Sequence, residues 1–234
     1  MLDQHQSQLA ALEELDRDGA VREAADKVDA ATRTAFLKKA GVGLGTIALG
    51  GAFAGGLPAV ARGQAIPQTD LDILNFALTL EFLESAFYAE AVENRIGGRS
   101  VTNRFARVVA NHESSHVRFL QRVLGMNAVT KPRFDFRDTT SNLRMFQATA
   151  DLLEHTGVHA YLGQAGNIES AAVLMGAARI LPVEARHAAW IRAIRFPNGR
   201  PGTPRTPAPA AFEDGFTREQ ILALVNSTGF IVSS

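Results

Sequence analysis

One duplication constrains this chain more than any other feature: Glu113-Ser-Ser-His116 returns as Glu184-Ala-Arg-His187. Residues three apart share one face of an α-helix, so each pair presents a carboxylate and an imidazole together. Two such helices facing each other aim two Glu and two His at one point, which is metal-ligand geometry. Each pair is preceded by a Leu-Glu with a tyrosine seven residues after the Glu: Leu80-Glu81 with Tyr88, and Leu153-Glu154 with Tyr161. Glu81 to Glu154 and Tyr88 to Tyr161 are both offsets of 73, while Glu113 to Glu184 and His116 to His187 are both offsets of 71. The chain repeats one plan, a helix with Glu followed by a helix with Glu-x-x-His.

The apolar spacing supplies the helices. Leu71, Leu74, Leu78, Glu81, Ser85, Tyr88 and Val92 alternate by three and four, a bundle seam with a carboxylate set into it. It predicts helix one over 70–95, capped by Thr69 or Asp70 and ended by Ile96-Gly-Gly98. Helix two is expected over 101–124, stopped by Gly125, helix three over 142–163 and helix four over 168–195. Pro182 sits inside helix four, two residues before Glu184, and is expected to kink it or to start a new helix. Residues 126–141 form a long crossover between helices two and three. Pro197, Pro201, Pro204, Pro207 and Pro209 mark a strap, and 217–228 a last short helix. No stretch alternates with period two, so the class is all-α. The expected organisation is a lead-in over 1–31, a signal-like segment over 32–65, a four-helix bundle over 66–196, and a strap with its helix over 197–234.

The lead-in is polar and Ala-rich, with Leu9, Leu12, Leu15 and Val21 at roughly helical spacing. In the next segment Arg33, Lys38 and Lys39 precede an apolar Gly/Ala-rich run that ends on Ala59-Val-Ala61 and Gly63-Gln-Ala65. That order, basic then apolar then small, is the order of an export signal, with cleavage after Ala61 or Ala65. Arg33-x-x-Phe36-Leu37-Lys38 resembles a twin-arginine signal in which Thr34 stands where the second arginine belongs. The expected location is the periplasm or cell envelope. The glycines make the run a poor permanent membrane span, so none is expected in the mature chain.

The formal net charge is zero and no basic–aromatic interleaving occurs, which excludes nucleic acid as the expected partner. Cysteine is absent, so disulfides and thiol chemistry are excluded as well. Five of the six histidines fall between residues 112 and 187, within the repeat.

A bundle with one Glu from each of two helices and a Glu-x-x-His from each of the other two suits a carboxylate-bridged pair of metal ions. Four carboxylates in an apolar core need compensation. Two divalent cations balance them, and two neutral imidazoles complete the set. Oxygen-rich ligation with one nitrogen per metal fits iron or manganese better than a structural zinc site.

The sequence at this point resembles the ferritin-like superfamily, and within it the exported branch with the desiccation-related and stress-linked proteins. The segments that carry the likeness are Leu78-Thr-Leu-Glu81 through Tyr88, His112-Glu113-Ser-Ser-His116, Leu153-Glu154 through Tyr161, and Val183-Glu184-Ala-Arg-His187. The resemblance implies a ferritin-like four-helix bundle. It also implies that Glu81, Glu113, His116, Glu154, Glu184 and His187 bind two metal ions, iron or manganese. Tyr88 matches a tyrosine that lies beside the metals in that superfamily and is the candidate catalytic side chain; Tyr161 is its counterpart.

Plainer readings stand beside these. The Glu-x-x-His pairs can be surface ion pairs, and both tyrosines packed aromatics. Glu84 competes with Glu81 for the helix-one position. His112, His155 and His159 read as outer hydrogen-bond donors or surface residues, Trp190 as core, and Arg186 as solvated. Two function classes follow. One is redox chemistry on dioxygen or peroxide: iron oxidation, peroxide reduction or peroxide dismutation. The other is a non-catalytic stress-protection protein of the cell envelope. A homo-oligomer is compatible with either. The lack of a rubredoxin-like Cys pair argues against a rubrerythrin electron path, and the C-terminal strap against a minimal ferritin cage subunit.

Overall fold

Four long helices form where apolar spacing and capping residues coincide. In a computed structural model, which describes residues 65–199, 203 and 205–232, they are α1 (Gln68–Glu93), α2 (Val101–Leu124), α3 (Leu143–Ala165) and α4 (Ala171–Arg195). Ser100, Asn142 and Ser170 cap α2, α3 and α4, each accepting the backbone N–H three residues on. α2 ends at Gly125, whose φ of 57° suits a residue without a Cβ. The all-α four-helix architecture expected from the sequence is what forms. The lead-in and nearly all of the signal-like segment lie outside the described residues.

α1 packs mainly against α2 and α3 against α4, two helical hairpins closed by short turns. α1 is buried all round at its middle: Leu80, Glu81, Phe82, Leu83 and Glu84 are buried in succession. Beyond Tyr88 the hairpins meet through an aromatic core, with Phe87 stacked on Phe146 at 5.2 Å and Phe105 edge-on to Trp190 at 5.2 Å. Each such side chain contributes about 1.5–3 kcal/mol through burial. This core fixes the hairpins on one side of the carboxylates. On the other side Leu74, Leu78, Leu120, Leu124, Val173 and Ile180 form a second apolar cluster.

Three local expectations need correction. Thr69 and Asp70 do not cap α1, which starts after Pro67 without a side-chain cap. The buried Asp70 instead accepts the backbone N–H groups of Glu169 at 2.8 Å and Ser170 at 2.9 Å, so it closes the α3–α4 turn from across the bundle. Of the two outcomes expected at Pro182, a new helix does not occur: α4 runs through it as one element, without the bond that an N–H there would give the Ala178 carbonyl. A short β bridge also forms. β1 (Arg133–Phe134) in the crossover pairs antiparallel with β2 (Ile231–Val232) near the C-terminus, too short for a period-two pattern.

The C-terminal part covers α3. α5 (Arg218–Thr228) has a full capping box from Thr217 and Gln220 and buries Ile221 and Val225. His159 donates from Nδ1 to the Asp214 carbonyl at 2.6 Å and stacks on Phe216. Among the described residues no helix is long and apolar enough to cross a membrane.

Candidate metal centre

The bundle brings all six side chains expected as ligands to one place. Glu81 comes from α1, Glu113 and His116 from α2, Glu154 from α3, and Glu184 and His187 from α4. Their potential ligand atoms form two overlapping groups, each within 4.8 Å: Glu81, Glu113, His116 and Glu184, and Glu113, Glu154, Glu184 and His187. Glu113 and Glu184 belong to both. All four carboxylates are 0% exposed and His187 is 2% exposed, so these are not surface ion pairs.

The distances are compatible with donors gathered around cations. His116 Nδ1 lies 3.0 Å from Glu113 Oε2, 3.1 Å from Glu184 Oε1 and 3.3 Å from Glu81 Oε2. His187 Nδ1 lies 3.1 Å from both Glu113 Oε1 and Glu154 Oε2. Glu113 thus turns one oxygen to each imidazole. A single Nδ1 proton cannot serve three carboxylates. Adjacent ligands of an octahedral ion bound at about 2.1 Å, however, sit about 3.0 Å apart. Four buried oxygens have no hydrogen-bond donor: Glu81 Oε2, Glu113 Oε1 and both oxygens of Glu184. His187 Nδ1 is near Glu113 Oε1 in distance but not in hydrogen-bonding direction. Orphaned buried carboxylate oxygens are costly, and divalent cations are what such a donor set fits.

The tyrosines cross between the halves. Tyr161 of α3 donates its hydroxyl to Glu81 Oε1 of α1 at 2.6 Å, and Tyr88 of α1 donates to Glu154 Oε1 of α3. Each fixes one carboxylate oxygen and leaves the other toward the cluster. Burial, and then the neighbouring carboxylates, push both phenols well above their usual range, so both stay protonated.

Electrostatics show how much positive charge the cluster calls for. Burial, and then the Glu113 charge, push Glu81 up to about 8. Burial also raises Glu154, and it lifts Glu84 and Glu184 well above the carboxylate range. Glu113 goes the other way: burial opposes its charge, but the hydrogen bond from His116 and the nearness of His187 prevail and hold it at about 2. Burial also opposes charge on the imidazoles. The carboxylates around them nevertheless raise His187 to about 10 and His116 well above its usual range.

Two residues that the repeat does not mark lie beside this cluster. Glu84, an alternative to Glu81 in the sequence, is buried beside it, so α1 brings both carboxylates in. His112 Nδ1 sits 2.8 Å from His187 Nε2, with the two rings stacked. Neither has a counterpart in the second half, so duplication could not find them; position did, since Glu84 is one turn from Glu81 and His112 one turn from His116. His155 is bound to Asp151, and His159 to the C-terminal segment, both away from the cluster. Arg186 is exposed, and Trp190 packs against the core.

The sequence matches the family model of the ferritin-like domain over residues 69–196, the four bundle helices almost entire. A search of curated proteins finds no match to the chain.

Proposed function

The chain belongs to the ferritin-like domain family, and from that premise we propose that it is an exported protein holding two iron or manganese ions for oxidative chemistry. The observation that carries the reading is Glu113, buried between two imidazoles with one oxygen toward each, opposite a Glu184 with no hydrogen-bond donor. Glu81 and His116 would hold one ion and Glu154 and His187 the other, with Glu113 and Glu184 available to both. Two such ions supply paired electron transfer to dioxygen or peroxide.

The protein's own part is positioning, exclusion of water and custody of protons. Tyr88 and Tyr161 hold Glu154 and Glu81 in place from the opposite half. Tyr88 also keeps a phenolic proton at Glu154 Oε1, inside the site and away from water, which makes it the candidate proton donor. The apolar layers on both sides keep the pocket dry, so its charges act at full strength.

Residues 32–65 support export, and the resemblance to stress-linked relatives supports a role in oxidative or desiccation stress. Sequencing the N-terminus of protein recovered from its native cell tests export; the first residue is expected to follow Ala61 or Ala65. The chemistry is tested with iron-loaded full-length chain. Consumption of peroxide or dioxygen is expected, and Glu113→Ala is expected to abolish it. Stoichiometric metal without any consumption would leave a non-catalytic envelope protein.

A further inference from the structure

The repeat is broken at two places, and both breaks fall on the same side of the cluster. The offset of 73 that relates Glu81 to Glu154 and Tyr88 to Tyr161 relates Glu84 to Gly157. A Cβ at Gly157 would stand 3.3 Å from Glu84 Oε1 and 3.2 Å from Glu184 Oε2. The absent side chain leaves room for the Glu84 carboxylate to face Glu184 across α3. Glu84 is 3% exposed, and among the described residues no hydrogen bond or ion pair holds it. Gly157 lies one turn after Glu154 on α3, so the room it leaves opens on the Glu154 side of the cluster. Glu84 therefore starts on α1 but faces Glu184 and the stretch of α3 that carries Glu154.

The second break follows the other offset. The 71 that relates His116 to His187 relates His112 to Val183. His187 Nε2 lies 2.8 Å from His112 Nδ1, and with its Nδ1 on a metal ion His187 would carry its proton at Nε2 and donate it to His112. Such an acceptor behind a ligand imidazole fixes its tautomer and makes it a stronger donor to metal. Among the described residues, Nε2 of His116 makes no hydrogen bond of this kind.

We propose that the two metal positions are unequal: the one framed by Glu154 and His187 fills first and binds more tightly, with Glu84 as an added carboxylate ligand and His112 as a positioning residue behind His187. This rests on the metal centre under Proposed function. An extra anionic ligand and a stronger imidazole both act on one position, and its counterpart has neither.

The test is a titration of metal-free, full-length protein with Co(II), followed by calorimetry and by the visible ligand-field bands, so that no catalytic readout is needed. Two steps are expected, separated by at least about tenfold in Kd. Glu84→Gln, close in shape, is expected to weaken the tighter step and change its ligand-field bands while leaving the weaker step in place. His112→Gln is expected to weaken the same step by about 10–100-fold. Two equal steps in the wild-type chain would overturn the inequality. So would a Glu84→Gln isotherm identical to wild type, or one in which only the weaker step moves. No Co(II) binding at all would instead remove the metal centre itself, and the inequality with it.

Discussion

In the first half of the bundle Glu81 receives its hydroxyl from Tyr161 of the second half, and in the second half Glu154 receives its own from Tyr88 of the first. The halves carry the same groups at the same spacing, yet neither completes its own carboxylate. Their difference is most visible at the turns. The α1–α2 connection spans residues 94–100 and the α3–α4 connection residues 166–170, two fewer. That is the whole gap between the offsets of 73 and 71, so the shortening lies in the turn and the helix faces stay in register. The shorter turn is closed by Asp70 from α1. Duplication thus fixes the inward-facing residues, while the differences collect in the turns and at Glu84 and His112.

The strongest way to break the comparison is to remove a residue both halves share. Glu113→Ala or Glu184→Ala is expected to take metal content from about two ions per chain to near none, since each belongs to both ligand groups. Elemental analysis of loaded, desalted protein reads this directly. Glu81→Ala and Glu154→Ala each touch one group and are expected to leave about one ion. Retention of both ions in Glu113→Ala would show that the halves bind independently.

A pH series probes the charge both halves bury together. In metal-free protein Glu81 is raised from 4.5 to about 8 and His187 from 6.5 to about 10. For both, the folded chain holds protons that the unfolded chain has already lost. Stability is therefore expected to fall as pH rises, from about 4.5 through 8 for Glu81 and from about 6.5 through 10 for His187. Glu113, held at about 2, acts oppositely and favours the folded state as pH rises from about 2 to 4.5. Denaturant melts across pH check this. Metal-loaded protein is expected to show a flatter profile, because cations replace the protons.

The tyrosine exchange gives a finer comparison. Tyr88→Phe and Tyr161→Phe each leave a buried carboxylate oxygen without its donor and are expected to cost about 1–3 kcal/mol apiece in the metal-free chain. Similar losses support the exchange; a loss in one alone would mean that only one half depends on the other. The smallest effect is expected at Gly157→Ala. The Cβ crowds Glu84 and Glu184 at 3.3 and 3.2 Å, at an overpacking cost of about 1–3 kcal/mol, and helix propensity returns up to about 1 kcal/mol.

Much of this was legible in the sequence because duplication and helical spacing are signals of one chain. The seam from Leu71 to Val92, the paired Glu-x-x-His and the Leu-Glu with tyrosine at seven gave the all-α bundle and the residues that converge. What was not legible depends on contacts between elements distant in sequence. Asp70 looks like a local cap, yet its partners are a hundred residues away. Glu84 and Glu81 looked like alternatives because the shared offset favours one, and only the room at Gly157 lets both enter the core. The exchange of tyrosines between halves could not be read from two identical spacings, which fit a within-half pairing equally well. The β1–β2 bridge is too short to leave a pattern.

The most direct measurement is anomalous scattering from crystals of the manganese-loaded, full-length chain, collected with elemental analysis of the same preparation. Two peaks are expected inside the bundle, one beside Glu81 and His116 and one beside Glu154 and His187, each also touched by Glu113 and Glu184. Protein that takes up no stoichiometric metal, or peaks that lie away from those six side chains, would contradict it.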